Sequence, residues 1–131
     1  MTLFARAMIG AAFALIASAS GAAAQDCANS DSTTEMNRCY TKLLAQADAD
    51  LKAKYDDVNG PVKHLSMLDQ GMTKAEQAWV TYRDQTCEVA RLKSLGTQFE
   101  AVAPISCRLA LTRERISDLD NQFNPLFDAK H

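Results

Sequence analysis

Residues 75–87, AEQAWVTYRDQTC, gather the groups of this chain that could do chemistry. The single tryptophan, Trp79, is followed by Tyr82, an adjacent Arg83–Asp84 pair and Cys87. A nucleophilic cysteine must be free and must have a base beside it. The only histidines, His64 and His131, are far from Cys87 in sequence. No serine, histidine and acid fall into a triad pattern, and no glycine-rich phosphate loop is present. The four cysteines, Cys27, Cys39, Cys87 and Cys107, contain no Cys-x-x-Cys spacing, and two histidines are too few for a metal cluster. The reading is therefore no enzyme, no metal and no cofactor. An Arg–Asp pair without a nucleophile is more often structural, an interhelical ion pair or a helix-end contact, than a catalytic device.

The elements that position these residues begin after a leader. Arg6 precedes the apolar run AMIGAAFALIASA, and Ala22-Ala23-Ala24 satisfies the small-residue rule for cleavage. The run is too short for a comfortable bilayer span, which takes about 20 residues. Residues 1–24 are expected to be a cleaved signal peptide, leaving no membrane span and an exported chain, periplasmic or extracellular. The residues before Cys27 are Ala24-Gln25-Asp26, which is not a lipoprotein context. In an oxidising compartment four cysteines in a small domain read as two disulfides.

Helical periodicity runs through almost all of the rest. Ser32, three residues before Glu35, forms a capping box. Behind it Met36, Tyr40, Leu43, Ala47, Leu51, Tyr55 and Val58 make one apolar stripe. Gly60-Pro61 stops this helix and starts the next. The second helix has the strongest seam: Leu65, Leu68, Met72, Ala75, Trp79, Tyr82, Thr86 and Val89 alternate in steps of three and four. On this pattern Trp79 and Tyr82 are core, and Arg83 and Asp84 lie on the flanks. Gly96 marks the next break. Val102, Ile105, Leu109, Thr112, Ile116, Leu119 and Phe123 form the third stripe, Pro104 falls in or before its first turn, and Asn124-Pro125 is expected to end it. No segment alternates with period two. The fold class is all-α, a three-helix antiparallel up-down-up bundle in residues 25–123, followed by a loose tail over 124–131.

This topology pairs the cysteines. A backfolded N-terminal arm joins Cys27 to Cys39. Cys87, late in the second helix, meets Cys107, early in the third.

Charge narrows the partners. Without Arg6, 13 basic side chains face 16 acidic ones, a net charge of about −3. Residues 25–60 hold seven acids and four bases, whereas 61–131 hold nine of each. This argues against nucleic acid and permits a cationic protein partner. Residue by residue, such acids are usually a solvated helix face.

The blocks TTEMNRC (33–39), ADADLKAKY (47–55), AEQAWVTYRDQTC (75–87) and CRLALTRERISDL (107–119) together resemble the LprI-type lysozyme-inhibitor family. Glu35, Met36, Asn37, Cys39, Leu51, Tyr55, Trp79, Tyr82, Arg83, Asp84, Cys87, Cys107, Thr112 and Arg115 fall on positions of the family pattern. The resemblance implies an exported protein-binding module that inhibits lysozyme by direct binding. The alternative is a periplasmic structural or interaction domain of unknown partner with no lysozyme-inhibiting activity. Asp48, Asp50, Asp56 and Asp57 are the candidate partner-binding residues, suited to a cationic enzyme surface. Glu35, Trp79, Tyr82, Arg83, Asp84, Thr112 and Arg115 are expected to be structural, with Glu35 or Arg115 as interhelical partner of the Arg83–Asp84 pair.

Overall fold

The computed structural model describes residues 26–127. The expected leader and the last residues of the expected tail lie outside them. Three helices dominate: α1 (Thr33–Asn59), α2 (Ser66–Lys93) and α3 (Ala103–Phe127), with a 3-10 turn at Gly60–Val62 between the first two. No strand occurs among the described residues. No helix there is long and apolar enough to cross a membrane.

Local signals set the helix ends. The Ser32 hydroxyl accepts from the Glu35 N–H at 3.2 Å, which satisfies one of the orphan donors of α1. Pro61, expected in the first turn of the second helix, sits instead in the 3-10 segment, where its missing N–H costs nothing, and α2 begins only at Ser66. Gly96 has φ +72°, the left-handed conformation that breaks the chain between α2 and α3. One expected end is corrected. The third helix continues through Asn124-Pro125 to Phe127. Packing upstream, at buried Leu109, Thr112 and Leu119, sets its course, and a proline in the last turn removes one donor where the ladder is already ending.

Contacts between the helices fix the topology. Asn37 donates to the Ala101 carbonyl at 3.2 Å, and Lys54 pairs with Asp120 at 2.8 Å, so α1 and α3 run parallel. Arg115 on Glu76 and the Cys87–Cys107 bridge make α2 antiparallel to α3. The bundle is therefore up-down-up, as the periodicity predicts. α3 packs against both other helices, whereas α1 and α2 make few direct contacts. Leu51, Val58, Val62, Met72 and Leu119 form the main core cluster, with Tyr55, Trp79 and Ile116 packed against it.

Both disulfides pair as expected. Cys27–Cys39 and Cys87–Cys107 each bring two Cα atoms to 5.5 Å, and no free cysteine remains among the described residues.

The face that α2 buries differs from the expected seam. Leu65, Leu68, Tyr82 and Val89 are exposed, Tyr82 by 57%. Met72 and Cys87 are buried, and Trp79 and Arg83 are largely covered. The inward face is thus turned by roughly 70° from the apolar stripe, toward Glu76 and Arg83. Two physical reasons account for this. The Cys87–Cys107 bridge pins Cys87 inward, and the charges brought in with it find partners. The expectation that Tyr82 is core is therefore corrected, and so is that of Arg83 on a flank.

Candidate functional site

The residues singled out in AEQAWVTYRDQTC assemble into an ionic network between the helices. Arg83 projects from α2 into the bundle, with 12% of its side chain exposed. Its Nη1 donates to Asp48 on α1 at 2.8 Å and to the Thr112 hydroxyl on α3 at 3.0 Å. Its Nε donates to Asp84 at 3.2 Å, and its guanidinium lies 5.2 Å from the Trp79 ring centroid. One side chain thus ties all three helices together. Arg115 approaches the same ring at 5.7 Å and donates through both Nε and Nη2 to Glu76. Arg115 is 12% exposed and Glu76 17%. Asp84 accepts a further bond from Arg108 on α3 at 3.2 Å.

The expected partners of the Arg83–Asp84 pair are therefore corrected. Both residues do pair across helices, but with Asp48 and Arg108. Glu35 instead lies at the start of α1 with its N–H on Ser32, and Arg115 belongs to Glu76. The sequence offered one missed signal. Glu76, Arg83 and Cys87 recur at steps of seven and four, which places them on one helix face.

These contacts tie helix to helix. Trp79 lies against two cations, each of which satisfies a carboxylate. With the four cysteines in disulfides there is no thiol nucleophile. No group of three or more His, Cys, Asp or Glu side chains among the described residues could hold a metal ion. Beside the network, Asp48, Leu51, Lys52, Tyr55, Glu76, Val80 and Arg83 line an open cleft of about 260 Å³ between α1 and α2.

The four candidate binding acids do not form one patch. Asp48 turns toward α2 and Arg83. Asp56 pairs with Lys52 one turn earlier at 2.6 Å, and this bond holds its carboxyl below the usual range. Asp50 and Asp57, seven residues apart and exposed, share the opposite flank of α1 from Asp48. Asp50 accepts from Gln46 at 2.9 Å. On the same side, Lys54 has its pKa raised, chiefly by its hydrogen bond to Asp120 and in smaller part by Asp57.

The chain is 30% identical over 105 residues to an uncharacterised protein of Rhizobium meliloti (strain 1021), which covers 72% of this chain and 76% of that protein. No solved structure matches. The pattern of the family described as "Lysozyme inhibitor LprI" matches residues 23–119, a span that contains both disulfides and every residue of the Trp79 network. The chain belongs to the LprI lysozyme-inhibitor family.

Proposed function

We propose that this chain is an exported module that binds lysozyme directly and inhibits it. Family membership over residues 23–119 is the observation that carries this reading. The disulfides suit a chain that folds in an oxidising compartment, periplasmic or extracellular. The ionic network and both bridges make a rigid bundle, and a preorganised surface loses little ordering entropy on binding. The Asp50–Asp57 flank of α1 is the approach surface for a strongly basic enzyme. Asp48 and Asp56, already engaged within the fold, contribute less.

The test is an inhibition titration of lysozyme on bacterial cell walls with the oxidised chain 25–131. Inhibition at micromolar excess and low salt is expected. No inhibition under those conditions refutes the reading and leaves an exported interaction domain with a different partner. Steering by charge weakens as the Debye length contracts from about 10 Å at 0.1 M to about 3 Å at 1 M salt. Asp50→Asn/Asp57→Asn therefore slows association and flattens its salt dependence, while the quadruple variant that adds Asp48→Asn and Asp56→Asn also loses stability.

A further inference from the structure

α2 buries a mixed stripe, in which Met72, Trp79 and Cys87 lie beside charged groups, and leaves an apolar stripe outside. Its inward face carries Glu76 and Arg83, while its outward face is apolar and bare. Between Met67 and Leu92 the outward stripe has no charged side chain. Leu68 is 48% exposed, and Val89 and Leu92 are 49% exposed. An apolar stripe of this length on a small domain marks an interaction surface.

The stripe follows a seven-residue repeat, the period at which a helix keeps one seam toward another helix. Leu68, Ala75, Tyr82 and Val89 occupy one heptad position. Gly71, Ala78, Gln85 and Leu92 occupy the second, three residues on. We propose that the outward face of α2 pairs antiparallel with the same face of a second copy of this chain, about a two-fold axis level with Val80.

Size and charge both select this occupant. In that register Ala78 of each copy receives Tyr82 of the other, and Gly71 receives Val89. Ala75 meets Gln85, and Leu68 meets Leu92. The small residues of the first half of α2 thus match the larger ones of the second half, as an isologous contact requires. On the flank of the stripe, Lys74 and Glu88 lie fourteen residues apart at one heptad position, the position whose charges set partner choice and orientation. Antiparallel pairing brings Lys74 of each copy to Glu88 of the other. Glu88 is 47% exposed and also bonds Arg91 within its own helix, so its carboxylate lies at the surface. The stripe is about 40 Å long at 1.5 Å per residue. Such a narrow contact falls below about 1,200 Å² of total buried area, the class of weak, reversible interfaces. The dimer therefore forms and dissociates with concentration.

Sedimentation of the oxidised chain 25–131, from micromolar to near-millimolar concentration, measures this directly. A rise from one to two chains is expected. Ala78→Glu, which places a charge at the centre of the stripe without touching the core, abolishes the dimer at unchanged melting temperature. Lys74→Glu weakens the dimer several-fold, and Lys74→Glu/Glu88→Lys restores it. A monomer at every concentration overturns the proposal, as does a dimer insensitive to Ala78→Glu. Failure of the charge exchange to restore association in a folded variant overturns the antiparallel register. A monomer whose lysozyme inhibition is lost with Ala78→Glu assigns the stripe to a different protein partner and overturns the second copy as occupant.

Discussion

Replacing Arg83 with methionine keeps the length and packing of the side chain and removes its charge and its donors. Three losses dominate, because Asp84, which also loses its bond from Arg83 Nε, is 46% exposed and keeps Arg108. Trp79 loses a cation at 5.2 Å, worth about 0.5–2 kcal/mol. The Thr112 hydroxyl, on a residue with no exposed surface, loses its donor at 3.0 Å, and an unsatisfied buried acceptor costs about 1–3 kcal/mol. Asp48 loses a partner but is 47% exposed, so water replaces the bond at about 0.2–1 kcal/mol. The net expectation is a loss of about 2–4 kcal/mol, with methionine's own packing offsetting part of the sum. For a domain of this size, whose unfolding entropy is near 0.2 kcal/mol per kelvin, that lowers the melting temperature by about 10–20 °C. Thermal unfolding followed by circular dichroism measures it, and double-mutant cycles divide it. Coupling of Arg83→Met with Thr112→Val should exceed 1 kcal/mol by a modest margin, and coupling with Asp48→Asn should stay below about 1 kcal/mol. A variant melting within about 3 °C of the parent refutes the view that Arg83 is a tie among three helices.

Further outcomes follow from the same contacts. Asp84→Asn lowers stability by less than about 1 kcal/mol in the same melts, because Asp84 is 46% exposed at the edge of the network. Replacing Cys87 and Cys107 with serine removes a loop constraint over 20 residues and lowers stability by about 3 kcal/mol in denaturant titration. Gly96→Ala costs about 1–2 kcal/mol through its positive φ alone, since an added Cβ would meet no atom within 4 Å; a neutral substitution there would refute the strain. The Asp56 and Glu88 carboxyls are held below their ordinary range by Lys52 and Arg91. Their contribution is therefore present above the unfolded carboxylate pKa and lost as pH falls through the folded one, so melting temperature should decline on the acid side, and Lys52→Gln should shrink that decline slightly.

Much of the fold was legible because it rests on local signals. Ser32, Gly60-Pro61 and Gly96 set breaks through backbone chemistry that neighbouring residues alone determine. The 3-4 spacing of Leu51, Val58, Leu109 and Leu119 identified real core positions, the helical hairpin predicted the Cys87–Cys107 pairing, and a backfolded N-terminal arm predicted Cys27–Cys39. Periodicity also found the Trp79 segment, and the order of its residues carried the family resemblance. What periodicity could not supply was direction. α2 has an apolar stripe and a mixed stripe side by side, and hydropathy favours burying the first. Burial of the second depends on groups far away in sequence. Cys107 fixes Cys87, Arg115 satisfies Glu76, and Asp48 with Thr112 satisfies Arg83. A charge is tolerable inside only when a partner is already there to meet it, and those partners lie on the other two helices. The sequence by itself determined three helices, the breaks between them and their bridges, but not where the third helix ends. Only the tertiary structure decided which face of α2 turns inward, because that choice is made by ion pairs and a covalent bond between elements and not by the pattern within one.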